Sequence, residues 1–84
     1  MVKDASFNAF RRMGKGALDA IPEILKLTNH SDPYIREEAA ITLSDMAQYG
    51  EKDKIIEALK IMLGDHNPYV AEAAKEALKK AEAE

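Results

Sequence analysis

A proline–tyrosine–aliphatic triplet occurs twice in this chain, at Pro33-Tyr34-Ile35 and again 35 residues later at Pro68-Tyr69-Val70. Each copy follows a good helix-capping residue, Asp32 or Asn67, and each precedes a run of apolar positions at helical spacing. A cap residue directly before proline is a strong helix start. The cap oxygen accepts a free backbone N–H, and proline in the first turn gives up no hydrogen bond. The preceding segments repeat too: Ile21-Pro22-Glu23-Ile24-Leu25-Lys26-Leu27 aligns with Ile55-Ile56-Glu57-Ala58-Leu59-Lys60-Ile61 at an offset of 34, so the turn between has gained one residue. Self-similarity with this period means one helical unit stacked on its own copy.

The apolar periodicity predicts five helices, at about residues 2–13, 18–28, 33–48, 52–63 and 68–81, and no strand. In the first, Val2, Phe10 and Met13 share a stripe with Ala5 or Ala9, and Gly14 and Gly16 stop it. In the second, Leu18, Ile21, Leu25 and Thr28 mark the buried face and Ile24 and Leu27 widen it; Pro22 fits the first turn if the helix begins near Leu18 or Asp19. The third buries Ile35, Ala39, Thr42, Leu43 and Met46 and ends at Gly50. The fourth buries Ile55, Ile56, Leu59, Met62 and Leu63 and stops at Gly64. The fifth turns Val70, Ala74, Ala77, Leu78 and Ala81 inward, and the Glu82-Ala83-Glu84 tail is expected to fray. Connections of two to five residues make successive helices antiparallel neighbours. Met1-Val2-Lys3 aligns with Tyr34-Ile35-Arg36, so the first helix is a further copy of the second-helix type. The expected fold is an all-α solenoid, one domain over residues 1–84, built from half a repeat and two whole helical hairpins.

The segment Asp32-Pro33-Tyr34-Ile35-Arg36-Glu37-Glu38-Ala39-Ala40-Ile41-Thr42-Leu43 resembles the opening of the second helix of HEAT repeats, especially the short HEAT-like repeats of phycobilisome lyases. Ile21-Pro22-Glu23-Ile24-Leu25-Lys26-Leu27 is similar to that family's first helix. The resemblance covers nearly the whole chain and implies the fold, but it transfers no activity, because such repeats are mostly scaffolds. In the family the turn Asp and the following Arg tend to link successive repeats. Asp32 and Arg36 match that pattern, whereas Asn67 and Ala71 replace both in the last unit. Ala40, Ile41 and Ser44 become Lys75, Glu76 and Lys79 there, the polar outer face expected of a capping repeat.

Several functional classes are set aside by the sequence. The absence of cysteine removes disulfides, zinc–thiolate sites and thiol nucleophiles. The longest apolar run falls far short of the roughly 18 residues a membrane span needs, and no apolar stretch follows Met1-Val2-Lys3-Asp4 as a signal peptide would require. A cytoplasmic protein without membrane contact is expected. A net charge of −3 with interspersed signs argues against nucleic acid as a partner, although Lys3, Arg11, Arg12 and Lys15 cluster near the start. His30 and His66 occupy inter-helix turns near Asp32 and Asp65, short of the converging ligands a metal needs. Gly14-Lys15-Gly16 lacks the strand and spacing of a phosphate loop. Glu37 and Glu38 lie on a helix surface, and Ser6, Ser31 and Ser44 belong to no His–Asp constellation. No catalytic residue, cofactor or metal is expected.

What remains is a binding face. With Ile35, Ala39, Leu43 and Met46 inward at 100° per residue, Tyr34, Glu38, Ile41, Asp45 and Gln48 fall on the opposite side of the third helix. Their equivalents are Tyr69, Ala73, Glu76 and Lys80 on the fifth helix and Ala5, Asn8 and Arg12 on the first. The resemblance implies that second helices line the concave, binding side of the stack. The partner-binding candidates are therefore Tyr34, Glu38, Ile41, Asp45, Tyr69 and Arg12, tyrosine being an efficient interface anchor. A second candidate interface is the uncovered end of the first helix, with Phe7 and Phe10. The expected function is a non-catalytic protein–protein interaction or scaffold module. The alternatives are a self-associating or engineered stacking unit using the Phe7/Phe10 end, a small lyase-type subunit, and a nucleic-acid binder.

Overall fold

The computed structural model describes residues 19–83. They form four helices: α1 (Ile21–Leu27), α2 (Pro33–Met46), α3 (Lys52–Met62) and α4 (Pro68–Ala83), with no strand among the described residues. These are the second to fifth helices expected from the sequence. The first, at 2–13, lies outside the described residues, as do Leu18 and the stops Gly14 and Gly16.

Local chemistry sets the boundaries. Asp32, in an extended backbone conformation, accepts the Tyr34 N–H at 2.9 Å. Asn67 accepts those of Tyr69 at 2.9 Å and Val70 at 3.3 Å. Pro22 sits in the first turn of α1, as its missing donor requires. A 3₁₀ turn at Asp19–Ala20 precedes it, so the α-helix begins at Ile21, later than expected. At the other end Thr28 caps α1, its hydroxyl donating to the Leu25 carbonyl at 2.7 Å. α2 ends at Met46 with Ala47 as cap, and the chain then reverses through positive φ at Gly50 (151°) and Glu51 (56°). α4 continues through Ala83, two residues past the expected end at 81, with Ala81 buried in its last turn; Glu84 lies outside the described residues.

The helices are antiparallel within each hairpin, and the two hairpins are joined chiefly by α2 against α4. Alanines make that contact close. Ala74, Ala77 and Ala81 of α4 are buried, and so are Ala39 and Ala40 of α2. Ile35, Ala39, Thr42, Leu43 and Met46 face the core as their spacing predicts. Ala40, Ser44 and Ala47 are buried too, because α2 is covered on more than one flank. The Ser44 hydroxyl is satisfied by the Ile41 carbonyl at 2.7 Å, whereas the buried Thr42 hydroxyl has no partner among the described residues. On α4 the counterparts of Ala40 and Ser44 are Lys75 and Lys79, both exposed, so the outward flank of α4 is polar.

α1 and α3 are packed less closely against each other, and this corrects part of the expected core. Ile21 and Ile24 are fully buried, but Leu25 is only half-buried and lines an open groove between α1 and α3. On α3, Ile55, Leu59 and Met62 are buried while Ile56 is half-buried. Leu63 lies in the turn after the helix and is 43% exposed. Leu78 of α4 is half-buried as well.

One ion pair fastens the turns of the two hairpins. The Arg36 guanidinium meets the Asp65 carboxylate with two hydrogen bonds, Nε to Oδ2 at 2.8 Å and Nη2 to Oδ1 at 3.2 Å. Its Nη1 donates to the carbonyls of His30 at 2.8 Å and Ser31 at 3.2 Å. The link between successive units implied by Asp32 and Arg36 thus exists, but its acid is Asp65 of the next turn. Asp32 is the helix cap. Asp65 also accepts the Asn67 N–H at 2.9 Å, the part His30 Nδ1 plays for the Asp32 N–H at 3.0 Å one unit earlier. Arg36 holds the Asp65 carboxyl below its ordinary value; burial opposes this and the Asn67 N–H reinforces it.

Candidate functional site

The seam between α2 and α4 is the site that the packing builds. Tyr34 and Tyr69 stand at the starts of the two helices and Asp45 and Lys80 near their ends, so the helices run in the same direction. Along the seam lies an open groove of about 400 Å³. Its floor is Ile41, Ala73 and Ala77, and its walls carry Glu37 and Asp45 from α2 and Tyr69, Glu72, Glu76 and Lys80 from α4. Glu37 and Tyr69 also border a second depression of about 200 Å³ formed with Pro33, Tyr34 and Asn67. The two depressions adjoin at Glu37 and Tyr69, so together they form a trough that follows the seam from the helix starts to the Asp45–Lys80 end.

Tyr69 is 75% exposed and Tyr34 41%. Ring area of that size on a rigid helix start is what an interface anchor offers. Ile41 and Asp45 are half-buried. They do not stand on the outermost line of α2, because α4 closes against that flank. The Lys80 ammonium donates to Asp45 Oδ1 across the far end of the trough. Glu76 has Lys79 at 3.9 Å in an exposed pairing on the same helix, the kind worth a few tenths of a kcal/mol at about one turn's separation.

The structure therefore brings together Tyr34, Ile41, Asp45 and Tyr69, with the equivalents Ala73, Glu76 and Lys80. Glu38 is half-buried and is not among the residues lining either depression; Gln48 is exposed at the end of α2 and donates to the Asp45 carbonyl at 3.0 Å. Arg12, Phe7 and Phe10, and the cluster of Lys3, Arg11 and Lys15, lie outside the described residues. Two groove carboxylates, Glu37 and Glu72, are not among the partner-binding residues expected from the sequence, where Glu37 figures only as a helix-surface carboxylate. Glu37 precedes Ile41 by one helical turn, and Glu72 precedes Glu76 likewise, so both share a stripe with a candidate. Periodicity alone could not say which flank of α2 receives α4, and that choice separates Glu37 from Glu38.

The opposite seam, between α1 and α3, holds a groove of about 380 Å³ with Leu25, Ala58 and the 73%-exposed Ile61. Its charges, among them Asp53, Lys54 and Glu57, are of mixed sign. Among the described residues no group of three or more His, Asp or Glu side chains could hold a metal ion, and no helix is long and apolar enough to cross a membrane.

A family model described as HEAT repeats matches residues 3–79. No curated protein and no solved structure matches the chain.

Proposed function

The chain belongs to the HEAT-repeat family, whose repeats generally mediate protein–protein interactions, and from that premise we propose that it is a non-catalytic module presenting the α2–α4 face to another protein. The observation that carries this reading is the trough itself. Two second-type helices run side by side, an exposed tyrosine stands at each start, and an aliphatic floor lies between acidic walls. Isolated exposed apolar side chains are ordinary on protein surfaces, but Tyr34, Ile41 and Tyr69 line two adjoining depressions of one seam, with Tyr69 common to both. Arg36–Asp65 and the alanine-rich contact hold the two helices in fixed register, so the face is pre-organised and binding orders little backbone. The likeness to phycobilisome-lyase repeats is a likeness of the helix opening, and no lyase chemistry is carried over from it.

The test is a comparative capture from the cells that express the chain. Immobilised wild type is compared with the double variant Tyr69→Ala/Ile41→Ala and with Ile61→Ala on the opposite seam, all three verified as folded. Loss of the captured proteins in the groove variant, with retention in Ile61→Ala, is the expected result. Retention in the folded groove variant refutes the assignment.

A further inference from the structure

Resting on that reading, we infer that the trough takes a cationic segment of its partner: a short extended stretch in which Arg or Lys residues alternate with aliphatic ones. The argument is charge complementarity along an apolar floor. Four carboxylates line the main groove, Glu37, Asp45, Glu72 and Glu76, against the single ammonium of Lys80. They stand on both walls, two on each helix. Glu72 and Glu76 stand one turn apart on α4, and the exposed Lys79 contact of Glu76 at 3.9 Å is one that an incoming cation competes with. The α1–α3 groove is of similar volume and carries two carboxylates, Asp53 and Glu57, against Lys54, so the α2–α4 groove is the more acidic of the two, with four carboxylates against one ammonium.

The dimensions fit an extended occupant. Tyr34 to Asp45 is eleven residues of helix, roughly 16 Å at 1.5 Å per residue. That length matches about five residues of extended peptide at ~3.3 Å each. Alternate side chains of such a peptide point to opposite sides, so aliphatic residues reach Ile41, Ala73 and Ala77 while the cations between them reach the carboxylates at the rim. Lys80 already models the contact. Its ammonium lies on Asp45, and the side chains of both are partly exposed, 54% and 27%. An incoming Arg competes with Lys80 for that end of the trough and gains a two-pronged contact that the ammonium cannot make.

The experiment is fluorescence anisotropy with a labelled Arg-Leu-Arg-Leu-Arg peptide and its Glu-Leu-Glu-Leu-Glu counterpart, at about 0.01 M and at about 0.3 M salt, between which the screening length falls from ~30 Å to below ~10 Å. The cationic peptide is expected to bind and to weaken with salt, and the acidic one not to bind. Glu72→Lys/Glu76→Lys is expected to weaken binding at least tenfold. Glu57→Lys/Glu82→Lys changes net charge equally away from the trough and is expected to stay within about twofold. Lys80→Met removes the resident cation and is expected to tighten binding severalfold. Equal losses in the two charge-reversed variants, or equal binding of the acidic peptide, overturn the inference, because the effect is then one of net charge alone. Absence of binding by the wild type also overturns it. If Tyr69→Ala/Ile41→Ala still abolishes capture of the cellular partner in that case, the face remains the interface and only its charge preference falls.

Discussion

Asp65→Asn removes one charge from the clamp between the two hairpin turns and, with the amide oxygen kept for the Asn67 N–H, turns the acceptor of the Arg36 Nε–H into an NH₂ donor, at nearly unchanged side-chain shape. The side chains of Arg36 and Asp65 are only 13% and 11% exposed, so solvent screens them weakly. Their two hydrogen bonds, at 2.8 and 3.2 Å, are of the paired, charge-assisted kind. Bonds to charged groups contribute about 1.5–3 kcal/mol in mutational series, and the amide retains part of one, so a loss of about 2 kcal/mol is expected. Against a total of roughly 4–12 kcal/mol for a chain of this length, that is a large share. The assay is urea unfolding followed by far-UV circular dichroism, completed as a double-mutant cycle with Arg36→Met. The cycle should return a coupling of about 1.5–3 kcal/mol that survives high salt. The folded-state pKa of Asp65 lies below its ordinary 3.8, chiefly because of the Arg36 hydrogen bonds. Its contribution is therefore complete above about pH 4 and is lost as pH falls through the folded value. Wild-type stability should fall more steeply than that of Asp65→Asn below about pH 4. A coupling under about 0.5 kcal/mol, the size found for exposed pairs, would refute the claim that this contact fastens the stack.

Two further predictions concern the packing and the helix starts. Leu43→Ala empties a fully buried position at the centre of α2 and should lose about 2–5 kcal/mol in the same urea titration. Asn67→Ala leaves the Tyr69 and Val70 N–H groups without their side-chain acceptor and should lose about 1 kcal/mol, seen as a lower unfolding midpoint with an unchanged slope.

The helix starts of α2 and α4 were legible because their signals are local. An Asp or Asn before a proline needs only its own next turn to act, and both caps form as the residues dictate. The inward stripe Ile35, Ala39, Leu43, Met46 was legible for the same reason: a 3.6-residue period fixes which positions share a face. What the sequence could not show is how tightly one unit sits on the next. Leu25 and Leu63 have the spacing of core residues, yet they end half-buried and exposed because α1 and α3 stand apart while α2 and α4 close up. The same closure draws Ile41 and Asp45 from the expected outer line into a trough, and brings in Glu37 in place of Glu38. Asp65 was hidden for a different reason. Its partner is 29 residues away, beyond the reach of any local pattern.

The most direct measurement of where a partner sits is site-specific photo-crosslinking from two positions of matched exposure. A photoreactive phenylalanine analogue placed at Tyr69, 75% exposed on the α2–α4 trough, is compared with the same group at Ile61, 73% exposed on the α1–α3 seam. Partner adducts from position 69, absent from position 61, are the predicted result. Adducts from position 61 with none from position 69 would place the interface on the wrong side of the stack and contradict it.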